Sequence, residues 1–434
     1  VNGRVLVLRG DAAHLPLPAA SADLIVCSPP YFDLRSYTDA GGHYDGQIGS
    51  EATPGAYLEA LWACTAEWIR VLKPEGSLFI NLGDKYVADN RGSGTDIKCG
   101  AAKYAPAGPA GYLGREMARH KSLLGLPWRY AIGCMDRLGL ILRAEIIWDK
   151  PNGLPESVTD RVRRSHEQVF HFTRQPRYYA AVDEVREAHT GNAHPAGPRA
   201  AVTRWESGNG ITHRTGRTDL DQFNSLGKLP GSVWTIPSAP LTVPEHLGID
   251  HFAAYPPELV RRIILGWSPP SVCTACGQGR RPVVDRVTSG HDNSPLSRTL
   301  RINGGMGGTA FNRMKALGGG DCITGYACAC TPHTDHDEPP FLKPWREYHL
   351  DGWTPPPSRP AIVVDPFAGT GTTMLVASVL GRTAIGIDRS HDYCRLAQWR
   401  TQDPGERARA MQVPKPPPVP HGQQPLFSIS EITE

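Results

Sequence analysis

Apolar positions along the chain recur in two rhythms. Short continuous runs predict β-strands: VLVL at 5–8, residues 24–27 of ADLIVCSPP, SLFINL at 77–82, AEIIWDK at 144–150 and EQVFHFT at 167–173. Between them, AYLEALWACTAEWIRVL (56–72) repeats its apolar residues at helical spacing, and a turn is predicted at Lys73-Pro74-Glu75-Gly76. PPELVRRIILGW (256–267) predicts another helix, with Leu259, Ile263 and Ile264 on its inner side. AIVVDPFAGTGTTMLVASVLGRTAIGID (361–388) reads as a strand, a glycine loop, a helix and a further strand. Strand and helix alternating at these spacings predict an α/β fold: a mostly parallel, Rossmann-like sheet covered on both faces.

Two stretches break the rhythm. Residues 186–231 are rich in Gly, Thr, His and Arg and carry no periodicity, and a connection of that length inside a compact domain points to function. Residues 271–340 hold a cysteine cluster and the glycine-rich RINGGMGGTA. The chain is accordingly divided into 1–184, 185–230, 231–270, 271–340, 341–412 and a flexible Pro-rich tail, 413–434.

Composition narrows the class. With 434 residues, 40% of them hydrophobic, one large core plus a smaller module is expected. A net charge of +3 neither demands nor excludes nucleic acid, because one basic cleft suffices for binding. No apolar run reaches the roughly 18 residues of a membrane span. The opening VNGRVLVLRGDA reads as strand and turn and not as a secretion signal, so a cytoplasmic protein without a membrane partner is expected.

Two motifs carry chemistry. In the first, the strand Ile362–Val364 ends at Asp365, and Gly369 and Gly371 fall in the turn before a helix starting near Thr372. Glycines there let backbone approach a ligand, at the strand end where open α/β sheets bind one. The next strand ends at Asp388, an acid placed to hold a ribose diol. Thr373 stands two residues beyond Gly371 and no third glycine follows, which argues against a dinucleotide fingerprint.

In the second motif, Ser28-Pro29-Pro30-Tyr31 terminates the strand at 24–27. Ser28 Oγ and the Pro29 carbonyl are two acceptors, the prolines stiffen the turn, and Tyr31 offers a flat surface. The set suits an amine on an aromatic ring, whose lone pair is delocalised and must be redirected by accepting its hydrogens. Tyr31 would stack on the ring, and positioning would supply most of the rate. Cys27 points the other way along a strand, which argues against its use as a nucleophile.

SPPY and DPFAGTGTT together resemble the catalytic and cofactor motifs of amino-group DNA methyltransferases. With SPPY first and the glycine loop last, the order resembles the permuted beta group. The resemblance implies the S-adenosylmethionine-dependent methyltransferase fold and places Asp365, Pro366, Phe367, Gly369, Gly371, Thr372, Thr373 and Asp388 on that cofactor. It adds Asp11, from the Gly10-Asp11 turn, at the adenine. His251, Ala253 and Pro256 of HFAAYPPEL close over the methionine end. It sets Asn81 and Asp84 near the pocket, and Trp148, Lys150, Asn152, Pro155 and Ser157 along the target side. Ser28 in first place resembles the cytosine-N4 members more than the adenine-N6 ones. Adenine N6 stays as the alternative, and an inert DNA-binding module or an RNA or protein amine methyltransferase are further rivals.

Double-stranded DNA is the implied partner, with the target base flipped out. Residues 161–177 hold five arginines against one glutamate, which makes Arg161, Arg163 and Arg164 candidate phosphate contacts beside Lys150 and Asn152. Residues 186–230 coincide with the family's variable target-recognition region, where Arg204, Arg214 and Arg217 are candidate base readers. A cognate restriction endonuclease and the oligomeric state are left open.

Cys27, Cys64, Cys99, Cys134 and Cys394 are scattered and read as small reduced hydrophobes. Cys273-Thr-Ala-Cys276 and Cys328-Ala-Cys330 supply four thiolates suited to a structural tetrahedral zinc, with Cys322 or His333 as substitutes. Such a site leaves no open coordination position and is expected to pin a DNA-facing or dimer-forming insertion.

Overall fold

β2 (Ala22–Cys27) is buried at every position, as its unbroken apolar run requires of a strand covered on both faces. The computed structural model describes residues 3–34, 38–39, 42–43, 46–87, 121–153, 155–188, 205–206, 212–213, 226–249, 254–288, 319–330 and 356–414. β2 lies within an eight-stranded sheet. The other members are β1 (Val5–Arg9), β3 (Leu72–Leu82), β4 (Ile141–Asp149), β5 (His166–Thr173), β6 (Val233–Thr235), β11 (Ile362–Asp365) and β12 (Thr383–Asp388). Their spatial order is β1-β12-β11-β2-β3-β5-β4-β6. Only β5 runs against its neighbours, antiparallel to both β3 and β4; every other neighbouring pair is parallel.

Helices cover both faces. Ile25, Cys27, Leu78 and Ile80 pack against α1 (Pro54–Val71) through Leu58, Leu61 and Trp68, and against α2 (Leu126–Asp136) through Tyr130. Leu24, Val26 and Phe79 point the other way, onto Leu259, Ile263 and Ile264 of α3 (Pro257–Trp267) and Met374 and Leu375 of α4 (Thr372–Val379). Two-residue alternation along β2 and β3 thus feeds two cores from one sheet. α5 (His391–Gln402) and α6 (Pro404–Met411) complete the α4 side.

Two local features differ from the sequence reading. The turn expected at 73–76 is a bulge within β3: Ala22 pairs with Leu72, whereas Leu24 already pairs with Ser77. Ladder hydrogen bonds on both sides of the extra residues keep them inside the strand. α2 was not read from the sequence; its first turn is held by the Asp84 carboxylate, which accepts from Gly125 N and Leu126 N, each at 3.1 Å.

Within 271–340, β7 (Ser271–Cys273) pairs with β10 (Ser358–Pro360), and β8 (Arg281–Thr288) forms an antiparallel ladder with β9 (Gly319–Ala327). His251, Ala253, Arg204, Arg214, Arg217, His333 and Cys99 lie outside the described residues, as does nearly all of 186–225 and the tail from 415. Among the described residues, no helix is long and apolar enough to cross a membrane.

Candidate active site

The turns after β1, β2, β3, β4 and β11 and the end of β12 open onto one cavity of about 1130 Å³. This is the carboxyl edge of the parallel strands, where such sheets place their ligands. β5 runs the other way and contributes its first residues, His166 and Glu167. Both sequence motifs, at 28–31 and 365–373 in the chain, therefore face the same space.

On the glycine-loop side, Asp11, Pro366, Phe367, Gly369, Thr372 and Asp388 line the cavity. Gly369 and Gly371 adopt φ of +48° and +78°. A Cβ on Gly371 would sit 2.9 Å from Ala397 Cβ, so the loop needs glycine for both conformation and space. Asp388 Oδ2 accepts from Gly369 N at 2.8 Å and Oδ1 from Ser390 N at 2.9 Å, fixing the carboxylate at the loop. Asp11 is braced by Ala13 N at 2.9 Å.

Asp365, Gly371 and Thr373 stand behind this wall. Asp365 is buried, and its carboxylate accepts from Thr373 Oγ1 at 2.6 Å, Tyr255 Oη at 2.9 Å and Phe367 N at 3.1 Å. Burial nevertheless dominates and pushes its carboxyl up to about 6. Pro256 caps α3 just outside the cavity, while Ala254 and Tyr255 line it. Arg400, missed in the sequence, props the loop from behind: its guanidinium donates to Thr370 Oγ1 at 2.9 Å and Thr372 Oγ1 at 2.7 Å. Glu406 pairs with it at 2.9 Å.

On the acceptor side, Ser28, Pro29, Pro30 and Tyr31 all line the cavity. Tyr57 Oη donates to the Pro30 carbonyl at 2.8 Å and holds the turn. Among the described residues, no hydrogen bond occupies the Pro29 carbonyl. Tyr31 Oη donates to Glu167 Oε2 at 2.6 Å and lies 3.3 Å from Ser28 Oγ. Asn81 Nδ2 donates to Tyr31 Oη and to Glu167 Oε2, both at 2.8 Å, and reaches Ser28 Oγ at 3.3 Å. Lys150 pairs with Glu167 Oε1, its ammonium 4.2 Å from the centroid of the Trp148 ring. Burial, then the Glu167 charge, raises the Tyr31 phenol well above its usual range. Tyr31 is therefore held as a proton donor. Gly83 makes room for its ring, since a Cβ there would meet Tyr31 Cε2 at 2.6 Å.

Glu167 was counted in the sequence only as the lone acid among arginines; nothing in the local pattern marks it. Cys27 is buried away from the cavity, and burial, reinforced by the Asp365 charge, keeps its thiol well above the usual range.

The expected DNA contacts separate into two groups. Arg163 is exposed and Arg161 half-buried; Arg161 lies over Tyr86 at 3.7 Å and pairs with Glu156 at 2.7 Å. Arg164 turns into the cavity wall, toward Gln168 Oε1 at 2.8 Å and Asp84 at 3.5 Å. Asn152, though exposed, lines the cavity and exchanges hydrogen bonds with Ser238, Nδ2 to the carbonyl at 3.0 Å and Oδ1 from the amide at 2.8 Å. Lys150 is committed to Glu167.

Cys273, Cys276, Cys328 and Cys330 converge, with all four sulfurs within 4.8 Å of one another and Cys273 and Cys330 4.0 Å apart. Cys322 is described by its backbone alone, opposite Asp285 in the β8–β9 ladder. The quartet hangs on β7 and β10, and β10 leads into the beginning of β11. It therefore lies toward the end of the sheet opposite the cavity.

Comparison with known proteins gives a consistent family. A family model described as DNA methylase matches residues 22–275 and 348–399. Type II methyltransferase M.XycI of Xanthomonas campestris pv. cyanopsidis is 34% identical over 260 residues, 59% of this chain and 71% of the relative. Type II methyltransferase M.Cfr9I of Citrobacter freundii is 34% identical over 272 residues, 62% of this chain and 74% of the relative. The solved structure of PvuII DNA methyltransferase (cytosine-N4-specific) aligns with a TM-score of 0.49 and 14% identity, over 95% of this chain and 92% of that one.

Proposed function

The chain belongs to the N6/N4 DNA methylase family, and from that premise we propose that it methylates cytosine N4 in duplex DNA, with S-adenosylmethionine as donor. One observation carries the reading: the Ser28–Tyr31 acceptor turn and the Asp11, Phe367, Gly369 and Asp388 wall share a single cavity. At about 1130 Å³ it exceeds the roughly 300–1,000 Å³ usual for one small ligand. That leaves room for a cofactor and an extruded base together.

The loop residues fit the donor. Gly369 presents bare backbone to the cavity, and Asp388, fixed by Gly369 N, sets its carboxylate in the cavity wall where a ribose diol would bind. Asp11 stands at the adenine end and Phe367 closes the floor. S-adenosylmethionine supplies an electrophilic methyl on a sulfonium. The remaining steps belong to the protein. Ser28 Oγ and the Pro29 carbonyl accept the two amine hydrogens and aim the nitrogen lone pair; Tyr31 and the prolines hold the ring. The base reaches this pocket only by leaving the duplex. Ser28 in first place, a neutral acceptor, supports cytosine.

Acceptor turn first and glycine loop last make this a permuted beta-group enzyme in our reading, built from 1–184, 231–270 and 341–412. Residues 185–230 form its target-recognition segment, with Arg204, Arg214 and Arg217 as base readers. Arg161 and Arg163 contact phosphates at the mouth, whereas Arg164, Lys150 and Asn152 shape the pocket wall. His251 and Ala253 join Ala254 and Tyr255 over the cofactor. Relatives named Type II methyltransferases support a fixed target sequence, and a companion restriction endonuclease is the activity to look for beside it. A structural zinc on the cysteine quartet completes the reading. Zn–S bonds of ~2.3 Å place tetrahedral sulfurs ~3.8 Å apart, close to the 4.0 Å between Cys273 and Cys330.

The test is direct. Unmethylated duplex DNA is incubated with the protein and S-adenosylmethionine, digested to nucleosides and analysed by mass spectrometry. N4-methylcytosine that vanishes in Ser28→Ala is the expected result. N6-methyladenine would overturn the base assignment and keep the reaction class; no methylated nucleoside would overturn both.

A further inference from the structure

We propose that Glu167 takes up the proton released by the methylated amine, through a hydrogen-bonded chain from Ser28 Oγ by Tyr31 Oη to Glu167 Oε2. The inference rests on the amine-methylation reading above and extends it to the fate of the proton.

Methylation leaves the amine nitrogen with one hydrogen too many, and that proton must leave for the ring electrons to recover. Its first acceptor is Ser28 Oγ, a neutral hydroxyl too weakly basic to keep it. The geometry supplies an outlet. Ser28 Oγ lies 3.3 Å from Tyr31 Oη, which in turn donates to Glu167 Oε2 at 2.6 Å. Asn81 Nδ2 touches all three oxygens and aligns them. Lys150 occupies Oε1, so Oε2 is the oxygen turned to the chain. Burial and the carboxylate charge keep the Tyr31 phenol protonated, as a relay from Ser28 requires.

The transfer balances. The amine N–H bond breaks as an O–H bond forms on Ser28, and the pair of electrons returns to the base. The original Ser28 proton passes to Tyr31 Oη, and the phenolic proton passes to Glu167 Oε2. Both hydroxyls end as they began, and the carboxylate becomes a carboxylic acid. Glu167 lines the cavity with its side chain 16% exposed, so the proton escapes to solvent once product leaves. Glu167 acts through Tyr31 and Ser28 and not on the base itself. Its place is fixed: Glu167 pairs with Trp148 of β4, and the adjacent Gln168 with Leu82 of β3.

Glu167→Gln separates this role from a structural one, because the amide keeps the side chain's shape and one accepting oxygen while the basic carboxylate is gone. The full chain is assayed with unmethylated plasmid DNA and labelled S-adenosylmethionine, and kcat is measured apart from both KM values. The expected result is a loss of ~100-fold in kcat with both KM values within about twofold, as for loss of an acid–base partner. Wild-type kcat in E167Q would overturn the proposal, assigning proton release to water and Glu167 to orientation alone. If E167Q does not fold, Tyr31→Phe keeps the ring and removes the relay oxygen. A similar kcat loss at unchanged KM then supports the chain, and full kcat overturns it. Absence of methylation by the wild-type protein is a different failure, and sinks the underlying reading first.

Discussion

Tyr255 Oη donates to Asp365 Oδ2 at 2.9 Å, tying the residue before the cap of α3 to the last residue of β11. The carboxylate also receives Thr373 Oγ1 and Phe367 N, yet burial leaves its folded value at about 6 against an ordinary 3.8. An acid raised on folding binds more protons in the folded state than in the unfolded one between those values. Stability is therefore lost as pH rises through this window, and almost none is lost below about 3, where both states are protonated. The difference in unfolding free energy between wild type and Asp365→Asn is expected to move against wild type by about 2 kcal/mol from pH 4 to pH 7. Urea unfolding at several pH values measures it, and a difference that stays flat sinks the assignment.

Gly371→Ala tests the glycine loop. The new methyl would meet Ala397 at 2.9 Å in a backbone held at φ +78°. A cost of about 1–2 kcal/mol is expected from the left-handed conformation alone, together with weaker S-adenosylmethionine binding by calorimetry. Unchanged melting and affinity would show that the loop relaxes without penalty.

Gly83→Ala is aimed at the other motif. Its methyl would press on Tyr31 Cε2, 2.6 Å away, and displace the ring from Glu167 and Asn81. Misplacement of about 1 Å costs up to ~100-fold in rate. The loss is expected in kcat, with cofactor affinity retained, because Gly83 lies on the acceptor side; steady-state kinetics and calorimetry report the two separately.

The cysteine quartet makes a compositional claim. One zinc per chain is expected by elemental analysis, with all of it lost from Cys273→Ser combined with Cys328→Ser. Chelation is expected to lower the melting temperature, since metal binding adds directly to folding free energy. Because the quartet lies opposite the cavity, kcat at low temperature is expected to change little. Metal-free protein of full stability would remove zinc from the picture.

How much of this was legible in the sequence follows from how local each signal is. The strand-loop-helix-strand unit at 361–388 stood out because every cue, from apolar run to glycines to helix, is contiguous. Ser28 to Tyr31 stood out for the same reason. Glu167 could not, because its meaning comes from Tyr31 and Asn81, brought to it by the β3–β5 ladder. Arg400 and Tyr255 were hidden likewise: each serves the glycine loop from a helix or turn far along the chain. Lys150 and Asn152, expected on the target side, line the cavity and hold Glu167 and Ser238, partners that no local pattern names. The bulge at 73–76 read as a turn because Pro and Gly give the same local signal in both settings.

β5 is the one strand of the sheet that runs backwards, and this decides what kind of residue stands at the active edge. Its neighbours reach the cavity with their last residues and the loops that follow them, whereas β5 reaches it with its first residues alone. Loops can lengthen, shorten or drift as a lineage acquires new target sequences. A residue paired within the sheet, as Glu167 is with Trp148, stays where it is. The reversed strand thus separates what such an enzyme can change, its choice of DNA sequence, from what it must keep, the chemistry on the amine.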